Sequence, residues 1–596
     1  MTDGNIKGLK SNDQLIRKMF IGIMITNLIS IVSNIGCTMI DSIVTGQFLG
    51  TDAVTASGLL QPVILVINLS GGLIEGGLGV VCARHMGKAE TQRANQTYSI
   101  ITITTLIFCI CVMGAVFLLA PGLGQALSKG ITSQVIPGMI SDYLRGFILG
   151  MIPMRLTIMF TSIMMLDNDK NRGVMAMITT LVTDLIFDLA NVLIFHGGMF
   201  GMAIATSLSN TAGFMVILTH FLRKNRILRF TFKGLNFGDL KDVVMCGIPH
   251  GINMGSMALR GFIFNKFLLV ISGQVAVAGL AVCNGAFSVV NALCLGMFFS
   301  AATISSMFYG EEDRKSLEKG VSLSFFFTVL IVGTCCLLII IFPTPVARLF
   351  IEGSATGVLE QGSRFIRFMG IQYLLVSIGF TISGIYQATK RFKLNYLIDF
   401  MREGVTPIVC VVAGGLLFGI HGTEWGFAFA GVPLIVLCFM IPTLINKKIP
   451  KRPEDVLILP DDFGAGPEEL FAASMSSIDD VIAVSEGVMD FAKERGGDRR
   501  TCMMLSLFIE EMARNTIEHG FEGRPAGSID IRLIYKDDSK TIRMRDDGKP
   551  FDPVEWIKRN EETDPSSGFG IRMVTKLAKS VNYLATMEIN NLIIQL

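Results

Sequence analysis

From Ile16 to Ile445 the chain strings one long apolar segment after another, each long enough to cross about 30 Å of hydrocarbon as a helix. In lipid a backbone must satisfy its own hydrogen bonds, so a chain written this way has a helical bundle open to it and little else. Polar punctuation divides the run into twelve spans, near residues 15–40, 54–83, 95–120, 137–161, 173–195, 199–222, 241–271, 276–307, 319–342, 362–388, 395–418 and 424–446. The first has no small-residue cleavage site behind it and reads as a retained helix, not a signal peptide. An even number of spans places both termini on one side.

Lysine and arginine set the orientation. Alternate loops carry them: Lys7, Lys10, Arg17 and Lys18; Arg84, Lys88 and Arg93; Lys170 and Arg172; the run from Arg223; Arg314, Lys315 and Lys319; Lys390, Arg391 and Lys393; Lys447 and Lys448. The intervening loops hold little beyond Lys129 and Arg348. By the positive-inside rule both termini, and everything after Asn446, are cytoplasmic in a cell membrane. The whole chain balances 51 basic against 49 acidic residues, a net charge of +2, which argues against a nucleic-acid partner. Its 12 cysteines show no CxxC or metal-ligand spacing and read as small buried hydrophobes.

An internal repeat divides the spans in two. FHGGMFGMAIA from Phe195 lines up with IHGTEWGFAFA from Ile420, Met86-Gly87 with Tyr309-Gly310, and YLRGF from Tyr143 with FIRFM from Phe365, at offsets that agree within a few residues. Spans 1–6 and 7–12 are therefore two copies of one unit in the same orientation, with sites expected near the midplane. The boundaries that follow are 1–222 and 223–447 for the two lobes, 448–467 for a Pro- and charge-rich linker, and 468–596 for a soluble domain.

Ionisable residues at membrane depth are costly and tend to be kept for a partner, an ion or water. The first half holds Asp41, Glu75, Asp184 and Asp188 within its spans; the second holds Asp399 and Glu403 near the inner end of span 11. Asp184 and Asp188 are one turn apart on one helical face, where a like-charged neighbour and low dielectric favour a shared proton or cation. A structural polar contact between helices is the other reading of the pair. Gly72 and Gly76 beside Glu75 have GxxxG packing spacing.

DSIVTGQFLG from Asp41, CARHMGK from Cys82 and the stretch Asp184 to Thr206 resemble the multidrug and toxic compound extrusion (MATE) transporters over nearly all of residues 10–447. The resemblance implies two six-helix lobes and export of amphipathic, often cationic, organic compounds in exchange for Na⁺ or H⁺. It also implies a cation site in the N-terminal lobe formed by Asp41, Asp184, Asp188 and Thr206. Position 184 is Asp where that family usually has Asn. Acids that another branch carries on spans 7 and 10 have no counterpart, and Arg260 stands in span 7. Lipid-linked-sugar flippases are the related alternative.

The soluble domain has an α+β pattern: helices near Ile478–Arg495 and Arg499–His519, strands Ser528–Tyr535 and Thr541–Arg545, a helix from Gly570 to Lys579, and closing strands Val581–Glu588 and Asn590–Gln595. Glu511 and Asn515 share a helix face, where a carboxylate can polarise a hydroxyl and an amide oxygen can ligate Mg²⁺ beside phosphates. Asp546 precedes Gly548 after a strand, where it can accept from an adenine amino group. Gly568 and Gly570 open a helix whose free N–H groups can hold phosphate.

In that order these motifs resemble the GHKL (Bergerat-type) ATPase fold of histidine kinases and gyrase, most closely the anti-sigma-factor serine kinases. The resemblance implies ATP and Mg²⁺ as cofactors, Glu511 as general base, Asn515 as the Mg²⁺ ligand, Asp546 and Gly548 at the adenine, and Gly568 with Gly570 hinging the lid. It also implies a phosphorylatable partner of the anti-sigma-antagonist type. Pro550 and Arg514 depart from the usual pattern. No GxxxxGK[ST] occurs, so ATP hydrolysis is not expected to drive transport. The expected fold is thus an all-α polytopic membrane body with a C-terminal α+β ATPase domain. The expected function is a cation-coupled exporter with an ATP-binding regulatory or serine-kinase-like domain; the alternative is a membrane-anchored serine kinase whose transporter-like body acts as a sensor.

Overall fold

The structure is a computed structural model that describes residues 14–49, 51–75, 77–88, 90–128, 134–223, 226–235, 237–350, 356–460, 463–466, 468–522, 527–536, 539–560, 568–586 and 589–596. Lys7, Lys10, Gly76, Lys129 and the side chain of Glu75 lie outside the described residues.

Each expected span meets a helix. The first half contains α1 (Gln14–Val44), α2 (Thr51–Glu75), α3 (Leu78–Gly87), α4 (Thr91–Leu127), α5 (Ile136–Leu149), α6 (Met151–Leu166), α7 (Lys170–Ala190) and α8 (Gly198–Leu218). The second contains α9 (Phe237–Gly310), α10 (Arg314–Thr328), α11 (Thr334–Ile341), α12 (Pro343–Arg348), α13 (Thr356–Ala388), α14 (Phe392–Phe400), α15 (Thr406–Phe429) and α16 (Gly431–Asn446). Among the described residues nine helical segments are long and apolar enough to cross a membrane, or ten if the pair α5 and α6, bent by 49°, counts as one.

The count falls short of twelve because residues 51–75 do not pass as a full span, α5 and α6 are bent apart, and Phe392–Asn446 runs as one segment. In α9 Gly273 leaves helical geometry with φ 70°, which separates the seventh span from the eighth. Gly419 does the same in α15 with φ 61°. Both need a left-handed backbone that glycine adopts without a Cβ clash.

The repeat explains how the halves meet. Its equivalent glycines, Gly87 and Gly310, lie across the seam between the halves, where a Cβ on Gly87 would come within 2.2 Å of the Met307 carbonyl and one on Gly310 within 2.2 Å of the Arg84 carbonyl. Arg84 Nη2 crosses the same seam to donate to the Ala388 carbonyl at 3.1 Å. Gly201 and Gly426, also repeat equivalents, admit Asn191 and the Cys410 carbonyl respectively, each too close for a side chain.

The C-terminal domain is one antiparallel sheet in the order β1-β2-β3-β5-β4, with β1 Leu470–Met475, β2 Ile529–Tyr535, β3 Lys540–Asp546, β4 Ser580–Thr586 and β5 Ile589–Gln595. One face packs on α17 (Ile478–Glu494) and α18 (Arg499–Asn515) through a core that includes Val488, Phe508, Ile531 and Ile594. Ser477 caps α17 in a capping box with Asp480. The expected helices and strands are present within a few residues. Two elements were not expected: β1, whose LFAASM carries no alternation, and α19 (Pro553–Arg559), a two-turn helix started by the Asp552 cap. A last helix, α20, covers Phe569–Leu577.

The linker is not a free tether. Val456, Leu457 and Ile458 are buried in the core of the membrane body. Tyr386 Oη donates to the Val456 carbonyl at 3.2 Å, and Arg391 Nε to the Ile458 carbonyl at 3.0 Å.

Candidate cation and nucleotide sites

Three helices bring the N-lobe acids together. Asp41 stands near the end of α1, and Asp184 and Asp188 one turn apart on α7; their nearest carboxylate oxygens all lie within 4.8 Å of one another. Asp184 and Asp188 are fully buried. The third helix, α8, supplies Ser209, whose Oγ donates to Asp184 Oδ1 at 2.7 Å. Cys37, one turn before Asp41 on α1, contacts Asp184, and Asp41 meets Asp188. Among the described residues no donor from outside the three carboxyls reaches Asp184 Oδ2, either oxygen of Asp188, or Asp41 Oδ1, and no basic side chain pairs with any of the three. Such a set of orphaned oxygens fits a bound cation or a shared proton.

Thr206, the fourth expected member, has its hydroxyl on the Met202 carbonyl of its own helix at 3.2 Å, and Ser209, three residues on, is the α8 residue that reaches the acids. Cys37 and Ser209 were not read from the sequence, although both lie one helical turn from a residue that was. Beyond α7 a π-helical turn, Asn191–Phe195, ends at His196 in left-handed geometry, and Asn191 ties it to α8 by accepting from Gly197 N at 3.1 Å and donating to the Gly198 carbonyl at 3.2 Å. π-turns of this kind recur at functional sites.

The second half buries a different cluster. Asp399, Arg402 and Glu403 are each nearly inaccessible. Arg402 reaches Asp399 at 2.9 Å and Glu403 at 3.1 Å, and Arg260 reaches Glu403 at 2.9 Å. Ser383 donates to Asp399 at 2.7 Å, and the Arg402 guanidinium stacks 3.5 Å from the Phe380 ring. Two acids and two arginines neutralise one another there.

In the C-terminal domain the expected site residues fall at the end of β3, on the C-terminal part of α18 and at the start of α20. Asp546, at the end of β3, is buried and accepts on Oδ1 from Gly548 N at 2.8 Å and Asn590 Nδ2 at 2.7 Å. Burial pushes its carboxyl up to about 6, against the lowering by Asn590 and the Gly548 N–H. Lys549 N donates to the Gly520 carbonyl at 2.8 Å, which fastens this turn to a π-helical turn, Thr516–Gly520, directly after Asn515. Glu511 lies against α20, because a Cβ on Gly570 would fall 1.9 Å from Glu511 Oε2. Gly568 starts that helix with φ +64°, and a Cβ there would strike the Trp556 ring. Glu511 thus packs against the glycine-opened helix, and the Asp546 turn is fastened to the turn that follows Asn515; carboxylate, amide and free N–H groups of these kinds can hold a nucleotide with Mg²⁺.

Comparison with known proteins agrees with this division. Residues 23–190 and 249–412 match the MatE family, and residues 475–596 match the histidine kinase-like ATPase domain. Among curated proteins, the probable multidrug resistance protein YoeA of Bacillus subtilis is 24% identical over 454 residues, covering 74% of this chain and 96% of its own length. The multidrug export protein MepA of Staphylococcus saprophyticus is 20% identical over 279 residues, 46% of this chain; the match spans 61% of the MepA length. Among solved structures, an outward-facing multidrug resistance MATE family transporter superposes with a TM-score of 0.64 at 18% identity, covering 74% of this chain and 97% of that one. A MOP superfamily transporter from Pyrococcus furiosus gives 0.65 at 19% identity, covering 75% and 100%.

Proposed function

The chain belongs to the MatE family, and from that premise we propose that it is a Na⁺- or H⁺-coupled antiporter that exports amphipathic, cationic organic compounds under the control of a cytoplasmic MgATP-binding domain. The observation that carries the transport reading is the convergence of Asp41, Asp184 and Asp188 with four oxygens lacking a donor from outside the three carboxyls and no basic partner among the described residues. Burying like charges this close is unfavourable unless a cation or proton neutralises them, so the site exchanges its occupant as it alternates between dry and wet surroundings. A bound Na⁺ or proton supplies that neutralisation. Ser209 and Cys37 orient Asp184, while Asp188 keeps both oxygens for the occupant.

In the tail, Asp546 Oδ2 would accept from the adenine amino group, Asn515 would hold Mg²⁺, and the N–H groups opening α20 at Gly568 and Gly570 would hold phosphate. Bound MgATP supplies a transferable phosphoryl group. Glu511, on the same face as Asn515, stands where it can take a proton from a hydroxyl, and this favours a second reading in which the domain phosphorylates a serine on a small partner protein.

Efflux of ethidium from proteoliposomes under imposed Na⁺ and pH gradients tests the transport reading. Gradient-driven efflux in the wild type and its loss in Asp188→Asn are expected; undiminished coupled efflux in that variant would refute the assignment. For the kinase reading, partner phosphorylation that persists in Glu511→Ala would exclude it.

A further inference from the structure

The sheet of the C-terminal domain buries a face that its sequence writes as solvated. Along β2 and β3 apolar residues alternate with Asp530, Arg532, Arg543 and Arg545, the pattern of a sheet with one wet face. Yet Arg532, Arg543 and Arg545 are buried, at 4%, 7% and 2% exposure. All three end on the loop between α9 and α10. Arg545 pairs with Glu311 and, at 2.9 Å, with Asp313, and donates to Ser316 Oγ at 2.9 Å; Arg532 pairs with Asp313; Arg543 donates to the Glu311 carbonyl at 3.2 Å. Asn591 of β5 completes Glu311 at 2.9 Å. Burial opposes the charge on Asp313, but Arg532, Arg545 and Arg543 outweigh it and hold the carboxyl well below the usual range.

That dock belongs to the second half. The same domain also holds the first half, at two other places. Thr586 Oγ1 at the end of β4 donates to the Leu166 carbonyl at 2.6 Å, where α6 turns toward α7, while Leu584 and Ile589 join the core of the membrane body. On α1, Lys18 Nζ lies 2.6 Å from Asp547, the residue next to Asp546. The domain therefore spans the seam at which Gly87 and Gly310 pack.

We propose that the C-terminal domain is a staple across the cytoplasmic seam of the two lobes, holding that side shut, and that nucleotide in its cleft loosens the staple. The proposal rests on the nucleotide reading above and adds what the nucleotide controls. Alternating access rocks one repeat against the other, so a rigid body fastened to both opposes opening on its own side. The fastenings are unequal. The arginine dock is buried and multiply bonded, whereas Lys18 and Asp547 are 49% and 23% exposed, a pair of the kind that contributes little and yields first. A ligand that engages Asp546 acts on the turn that carries Asp547 and so on Lys18. The helix held there, α1, carries Asp41 about 35 Å further along, so nucleotide and coupling cation act on one element and must influence each other's binding reciprocally.

The test uses the full chain with spin labels on Arg93→Cys and Lys393→Cys, both exposed and in different halves, with other accessible cysteines replaced. Inter-label distances are read with and without a non-hydrolysable ATP analogue whose binding is measured separately. The expected result is a longer-distance population that rises about threefold with the analogue and equally in Lys18→Ala without it. In Glu311→Gln/Asp313→Asn that population should be high and indifferent to the analogue. Distances unchanged in Lys18→Ala, or unchanged by an analogue that demonstrably binds, would overturn the staple. Failure of the analogue to bind the wild type would instead refute the nucleotide reading, and the staple would then stand or fall on Lys18→Ala alone.

Discussion

The two halves of the membrane body are copies of one unit, yet they bury charge in opposite ways. The first gathers Asp41, Asp184 and Asp188 without a basic partner among the described residues; the second interleaves Asp399, Arg402, Glu403 and Arg260 into a neutral chain. A neutral cluster is complete within the protein. An acidic one is complete only with a cation or proton, which is what a coupled transporter has to bind and release. The contrast teaches that the repeat keeps the packing glycines, Gly87 with Gly310 and Gly201 with Gly426, while the charged positions differ, one cluster wholly acidic and the other neutral.

The largest effect that sharpens this contrast belongs to the neutral cluster. Arg402→Met leaves the buried Asp399 carboxylate without its cation, while Glu403 keeps Arg260, and should destabilise the fold by about 3–5 kcal/mol, seen as a lower thermal midpoint in detergent; adding Asp399→Asn should recover most of it. A midpoint unaffected by the single change would break the assignment of that cluster to structure. Next, Asp188→Asn should lower coupled efflux by about 100-fold while the midpoint stays or rises, because one like charge is removed. A lowered midpoint with efflux intact would reverse the roles of the two clusters.

Smaller effects concern the tail. Asp546→Asn should weaken ATP-analogue binding by about tenfold through loss of a charge-assisted acceptor. The wild type carries its own check, since a carboxylate would accept from adenine more strongly than a protonated carboxyl: affinity should fall as pH drops through about 6 and level off above it. The raised value also means that the protonated form stabilises the fold below about 3.8 and that this contribution is lost as pH rises through about 6, so affinity and stability should move oppositely across that window. Smallest of all, Ser209→Ala should alter the cation dependence of efflux about threefold, by removing one hydrogen bond from Asp184. No change there would leave Ser209 as packing only.

Much of the architecture was legible because it is local. Apolar runs give spans, and the order of Glu511, Asn515, Asp546 and the glycines at 568 and 570 gives an ATPase-like domain. The errors were local too. β1 was missed because LFAASM lacks period-two patterning and forms only by pairing with β2, and α19 because two turns after a proline give no periodicity to count. Residues 448–467 read as a Pro- and charge-rich linker on composition, but VLIL within it is an apolar patch that the membrane body buries.

What the sequence determined by itself follows from spacing: Asp184 and Asp188 on one face, Glu511 and Asn515 on another, and more acids within the spans of the first half than of the second. Tertiary structure decided which distant groups meet. Asp41 joins the α7 acids only through the packing of α1 on α7, and Ser209 displaces Thr206 as their hydroxyl partner only through the rotation of α8. Arg260 finds Glu403 across 143 residues, and Arg545 finds Asp313 across 232. A helix or strand fixes which side of itself a residue faces, but whether that side meets water, lipid or an opposite charge depends on what packs there. The arginines of β2 and β3 are therefore buried although their alternation reads as solvated.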